Sequence, residues 1–406
     1  MNEDVTSIQL LLLSPLAIIG GALLLSQVLG VFLQKRGLPK LYGAVIAGLL
    51  LGTSGVGAVD APLLSQFQEL FNAASALVLF EVGRKMDLSW LWRSRRQGLA
   101  LLAGCALRGG GTLILLLVAG VGAAEAALIA SIMIAVNPVV FASMTSDANA
   151  SGVVTYAGAN TLGLSNVFAL LALSLSLAWI RSHAVGAGAG TGFIGELGTQ
   201  AGKLALGAVV ALFCYGLYAL ATRLVKAQAA VRPGILLAAL LMDLGLCSVS
   251  SSSALLSLLL MGLLLRNAET RENVFQAQIK TGQDIGYALL FMMSAALVEI
   301  DQLFQWYSLL VAVLVFALRI GATRLGLVRS TAWSGAKKHA LAISLCSLVS
   351  LGSLVVDNSL AKTAGMDGLA ASVMAALLAL NVLFAPGLTW WGLKRAGETH
   401  EGDEHG

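Results

Sequence analysis

MIAVNPVVFASMTSDANASGVVTYAGANTLGLSNVFALLALSLSLAW, residues Met133–Trp179, decides how this chain folds. It holds two apolar segments joined by a short polar turn, each interrupted where an ordinary membrane helix runs on. In the first, Asn137-Pro138 separates Ile132–Val136 from Val139–Ala142. Pro138 has no backbone N–H to donate, and its ring collides with the carbonyl four residues back. Carbonyls freed inside a bilayer cannot face lipid, so such a break is buried in protein or lines a wet cavity. In the second segment, Asn160, Thr161, Ser165 and Asn166 put polar groups at mid-membrane depth. Broken helices beside polar mid-membrane side chains are the way secondary transporters build ion sites.

The rest of the chain has the composition of a protein that lives in lipid. Of 406 residues, 58% are hydrophobic and 11% charged, with a mean hydropathy of +0.86. Soluble domains carry about 25% charged residues. The 45 glycines, against 6 prolines, suit close helix packing in a membrane. A net charge of +4 is too small to point to nucleic acid. Cys105, Cys214, Cys247 and Cys346 lie in apolar segments without metal-type spacing and read as small buried hydrophobes. The acidic start MNEDVTS lacks the basic region and cleavage site of a signal peptide.

Thirteen apolar runs long enough, or nearly so, to span a bilayer fall at about 8–33, 40–55, 67–86, 97–119, 122–144, 154–180, 198–222, 233–248, 251–265, 283–299, 305–323, 339–357 and 368–392. An odd number puts the termini on opposite sides. Most of the 25 basic residues gather on alternate loops: Lys35, Arg36 and Lys40; Arg84 to Arg96; Arg223 to Arg232; Arg266 to Lys280; Arg324 to Lys338; Lys394 and Arg395. The positive-inside rule makes that side cytoplasmic. The N-terminus is then outside and the C-terminus inside, a multi-pass topology for a cell (inner) membrane.

The two halves echo each other. VIAGLLLG at Val45–Gly52 answers LLMGLLLR at Leu259–Arg266, with Gly48 and Gly262 214 positions apart. Asp87 answers Asp301 at the same offset, and Asn166 in SNVF answers Asn381 in LNVLF at 215. Such an offset spans seven helices, so the second copy is inverted, as in many transporters. The expectation is a transmembrane domain over 1–396 and a short cytoplasmic tail over 397–406. Repeat one covers about 8–180, a linking helix about 198–222, and repeat two about 233–392. The counterpart of the Asn137 break falls near Ser347–Gly352, with Ser347 and Ser350 in it. His400 and His405 lie in an acidic tail that reads as solvated.

On GLPKLYGAVIAGLLLGTSG (Gly37–Gly55), ALVLFEVGRKMDL (Ala76–Leu88), LLSLLLMGLLLRN (Leu255–Asn267), LLFMMSAALVEID (Leu289–Asp301) and APGLTWWGLKRAGE (Ala385–Glu398), the chain resembles a monovalent cation:proton antiporter of the Kef-type and sodium–hydrogen exchanger superfamily. The resemblance covers nearly the whole chain. It implies an all-α membrane fold of two inverted six-helix repeats with crossed broken helices, one bundle carrying the breaks and the other forming a homodimer. It also implies exchange of a monovalent cation, Na+ or K+, for protons by alternating access. Arg319, in VFALRIGATRLG, stands where the family has a mid-membrane lysine or arginine that compensates charge at the breaks. The family's ion-carrying aspartate is replaced: the matching pair is Ser165-Asn166. An amide ligates a cation but has no proton to exchange near neutral pH.

Asn137, Ser165 and Asn166 are therefore the expected ion ligands, and Pro138 marks the break, the alternatives being an ordinary proline kink and a helix–helix hydrogen bond. Protons need another acid. Asp243, in LLMDLGLC, and Glu81, in LFEVG, are intramembrane carboxylates, and functional roles are the default for such groups. Each also reads as half of a structural pair, Glu81 with Arg108 and Asp243 with some other base. Asp284 and Asp357 fall near expected helix ends, and Ser250–Ser253 reads as an extracellular turn. No Ser-His-Asp, HExxH or phosphate-loop pattern occurs, so no enzyme and no cofactor are expected. An uncoupled or differently coupled carrier and a non-transporting sensor or subunit remain the alternatives to an antiporter.

Overall fold

The computed structural model describes residues 14–59, 61–87, 89–90, 94–184, 192–225, 231–268, 273–298, 300, 305–329, 333–348 and 368–399. Among them, all regular structure is helical. The principal helices are α1 (Pro15–Gln34), α2 (Tyr42–Leu51), α3 (Gln68–Lys85), α4 (Arg95–Val118), α5 (Ala123–Ile134), α6 (Pro138–Asp147) and α7 (Val153–Ala184). They continue with α8 (Phe193–Leu224), α9 (Arg232–Val249), α10 (Ala254–Ala268), α11 (Asn273–Ala296), α12 (Trp306–Gly326), α13 (Gly335–Ser344) and α14 (Leu369–Arg395). Eight stretches, counting α5 and α6 together, are long and apolar enough to cross a membrane, and shorter apolar helices lie between them. The chain is a multi-pass membrane protein, and the expected apolar runs overlap helices, the fifth the pair α5 and α6; of the run 339–357 only the start, in α13, is helical, and 349–357 lie outside the described residues.

Close glycine contacts follow the match between the two halves of the sequence. A Cβ added at Gly48 of α2 would lie 2.3 Å from the Met292 carbonyl of α11. One added at Gly262 of α10 would lie 2.1 Å from the Phe80 carbonyl of α3. Thus α2 packs on α11 while its counterpart α10 packs on α3, the counterpart of α11. Helices α4 and α12 meet antiparallel, Gly104 against Gly326 and Gly111 against Leu318. Around them Leu116, Ile129, Met133, Val315 and Leu377 form one buried cluster that joins α4, α5, α12 and α14. A second cluster, with Phe80, Cys214, Leu240 and Met261, joins α3, α8, α9 and α10.

Two expectations shift. Helix α11 starts at Asn273, well before the apolar run does, because QAQIKTGQD continues the helix although its polarity hides it from hydropathy. Asp284 therefore sits inside α11 and not near its end. The second break opens at Leu345, right after α13, two residues earlier than the expected Ser347. At the expected break, Pro138 occupies the first position of α6, where its missing N–H costs nothing. Ser350, Gly352, Asp357, Asp301, His400 and His405 lie outside the described residues. Ser250–Ser253 forms the turn between α9 and α10, with Ser251 at φ 52°.

One contact ties the end of the chain to the middle. Glu398 accepts hydrogen bonds from the Val154 N–H (2.7 Å), the Thr155 N–H (2.8 Å) and the Thr155 hydroxyl (2.9 Å). A carboxylate 244 residues away thus caps the N-terminus of α7, satisfying donors a helix cannot satisfy itself.

Candidate ion-binding site

Side chains of α7, α12 and α14 bond the carbonyls that the two breaks leave free. Helix α5 ends at Ile134 and α6 begins at Pro138. Between them Asn137 caps α6, its Oδ1 accepting from the Val139 N–H (2.9 Å) and Val140 N–H (3.4 Å). Its own N–H donates to the Ser347 carbonyl across the crossing, at 3.3 Å. The two breaks therefore touch through the main chain.

Arg319 of α12 is fully buried and spans both. It donates to the Met133 carbonyl, to the Ala135 carbonyl (2.9 Å), to the Ser347 carbonyl (2.9 Å) and to the Cys346 carbonyl (3.3 Å). These are the exposed ends of α5 and α13. Each helix C-terminus carries roughly half a negative charge, so together the two are sized to offset one guanidinium. Arg319 needs no carboxylate here, and none of the described residues gives it one.

Asn166 and Asn381 play matching parts. Asn166 Nδ2 donates to the Val136 carbonyl of the first break (3.0 Å) and to the Leu162 carbonyl (2.8 Å). Asn381 holds the second break, its Oδ1 accepting from the Leu348 N–H (2.7 Å) and its Nδ2 donating to the Leu348 carbonyl (3.0 Å). With Nδ2 occupied, Asn166 keeps its Oδ1, the oxygen a cation would use, without a donor among the described residues. Ser165 is buried beside it and donates to the Leu162 carbonyl (3.0 Å), which leaves its oxygen lone pairs unused.

The two carboxylates named from the sequence lie elsewhere. Glu81 pairs with Arg84 (2.9 Å) and Lys85 (3.4 Å) on its own helix, not with Arg108. These are partners three and four residues on, as helix geometry favours. Asp243 has no base beside it among the described residues. It is fully buried on α9 and accepts from the Ser257 hydroxyl (2.9 Å) and the Cys247 thiol (3.5 Å). A separate cavity runs along α6, lined by Ser143 and Asp147 of α6, Asp284 and Tyr287 of α11, and Lys40.

Sequence reasoning passed over Asn381 as a site residue, although its offset from Asn166 announced the symmetry. It also passed over a second repeat match. ALRGGGT at Ala106–Thr112 and ALRIGAT at Ala317–Thr323 share A-L-R-x-G-x-T, 211 positions apart. Arg108 and Thr112 on α4 are therefore the counterparts of Arg319 and Thr323 on α12.

Residues 18–393 match the family model for the transmembrane domain of sodium/hydrogen exchangers. The chain belongs to the sodium/hydrogen exchanger family. The exchanger fold is seen again in the structure of the sodium proton antiporter MjNhaP1 from Methanocaldococcus jannaschii at pH 8. That match has a TM-score of 0.66 at 17% identity and covers 95% of this chain and 98% of that one. No curated protein matches the sequence. In this exchanger the side chain that bonds the first break from α7 is an amide, Asn166.

Proposed function

We propose that this exchanger moves a monovalent cation, Na+ or K+, against H+ by alternating access, with the cation held at the crossing by neutral oxygens. The observation that carries the reading is the posture of Asn166. Its Nδ2 is anchored to the Val136 carbonyl, and its Oδ1 is left for a ligand. Ser165 supplies a second oxygen, and Asn137 fixes the break. The cavity along α6 has Asp147 and Asp284, with Lys40, in its wall. The proton is carried apart from the cation. Asp243 is the first candidate because only neutral donors hold it, and Glu81 is the second. The basic loops support a cytoplasmic C-terminus and an outside N-terminus, and the bundle of α3, α8, α9 and α10 is the proposed homodimer face.

The test is flux in proteoliposomes with an imposed pH gradient, in sodium, potassium and lithium. Dissipation by one of them supports exchange, and its loss in Asp243→Asn assigns the proton. A second reading, a carrier without proton coupling, is favoured by the lack of a carboxylate at the crossing among the described residues. It predicts cation flux that leaves the pH gradient intact. No flux of any cation would leave only a non-transporting sensor or subunit.

A further inference from the structure

We propose that the space beside Arg108 and Thr112 binds a small monovalent anion of halide size, which offsets the Arg108 charge. Arg108 lies on α4 and is 1% exposed, yet among the described residues it has no carboxylate partner. Its Nη2 donates to the Cys105 thiol at 3.1 Å, while Nε and Nη1 find no acceptor. One turn on, Thr112 is fully buried and its hydroxyl has no partner either. Residues four apart lie on one face of a helix, so Arg108 and Thr112 share the same side of α4. All three unmet groups are donors, so what fits them is an acceptor.

Charge points the same way. Arg108 sits within electrostatic reach of Arg319, with Cys105 and Cys346 as the other neighbours of that guanidinium. Arg319 is offset by the C-termini of α5 and α13. Its pseudo-symmetric partner has no such ends to bind among the described residues, so one positive charge remains deep in the bundle. Two further buried donors without partners, Asn137 Nδ2 and the Ser347 hydroxyl, lie at the crossing that Arg319 braces. A buried charge without a partner is costly enough that it is paired, neutralised or hydrated. A guanidinium does not give up its proton, which among the described residues leaves an anion or water, and of these only an anion answers the charge. This inference goes beyond cation exchange and does not depend on it.

The experiment is equilibrium binding of radioactive chloride to the purified full chain in nanodiscs, at constant ionic strength with gluconate. The expected result is saturable binding of one chloride per chain, displaced by bromide and nitrate but not by gluconate. Affinity should fall at least tenfold in Arg108→Gln and several-fold in Thr112→Val, and stay unchanged in Glu81→Gln. Chloride should also raise the melting temperature of the natural chain, and not that of Arg108→Gln, relative to gluconate. Absence of saturable binding, or unchanged affinity in Arg108→Gln, overturns the proposal and leaves water as the occupant. If Arg108→Gln fails to fold, unchanged affinity in both Thr112→Val and Arg108→Lys overturns it instead. Because binding is read without flux, a failure here is distinct from a failure of cation exchange.

Discussion

Removing the Arg319 side chain is the sharpest test of how the crossed breaks are held. Arg319→Ala deletes bonds to four carbonyls, two from each break. Hydrogen bonds to a charged group contribute about 1.5–3 kcal/mol each, a gross loss of about 6–12 kcal/mol. Against that stands relief from burying a guanidinium, several kcal/mol even after relaxation. Water entering the cavity would also satisfy part of the carbonyls. The net expectation is a loss of about 3–5 kcal/mol. A domain of 150–250 residues shifts by roughly 2–4 °C per kcal/mol, and a longer chain by less. The melting temperature in detergent should therefore fall by about 5–10 °C, with cation flux impaired. Arg319→Lys should fall between, because an ammonium has three donors and no planar fork with which to bridge two breaks. A melting temperature within about 1 °C of the natural chain in Arg319→Ala, together with unchanged flux, would show that the carbonyls are already hydrated and that Arg319 braces nothing.

Asn166→Asp puts a titratable oxygen between the breaks and removes the donor to Val136; proteoliposomes should then show a cation-dependent proton flux with a new pH profile, and an unchanged profile would move the ion site away from Ser165-Asn166. Glu398→Ala strips three bonds from the start of α7 and should cost about 2–3 kcal/mol, read as a drop in melting temperature. Asp87, in the loop after α3, is raised by burial, but donors from Ser89, Tyr156 and Trp90 and the charge of Arg266 outweigh this and hold it at about 2, below its usual 3.8. A lowered carboxylate stabilises above the unfolded value and loses that contribution as pH falls through the folded one. Asp87 should thus add about 2 kcal/mol at neutral pH that disappears between about pH 4 and 2, and Asp87→Asn should flatten that part of the melting profile. Gly262→Ala would drive a methyl to 2.1 Å from the Phe80 carbonyl and should part α10 from α3, lowering the yield of folded protein far more than Gly245→Ala, where nothing lies within 4 Å.

The sequence alone carried what depends on local sums and local chemistry. Apolar runs marked the helices because crossing lipid is a property of consecutive residues, and Asn137-Pro138 marked a break because proline acts on its own turn. Gly48 and Gly262 betrayed the repeat, and Arg319 stood out because a charge in an apolar run needs a reason. Tertiary structure decided what each polar group touches. Asn166 reaches a carbonyl 30 residues away, Arg319 reaches one 186 away, and Glu398 caps a helix 244 away. No pattern within a single segment encodes such pairs. Glu81 turned to Arg84 and Lys85 on its own helix, and Asp243 turned to a serine and a thiol, choices made by which neighbours packing brought within 3–4 Å. The contrast between Arg319 and Arg108 is the clearest case. Their sequences share A-L-R-x-G-x-T, but among the described residues only Arg319 lies against two helix C-termini, and only the fold could say which.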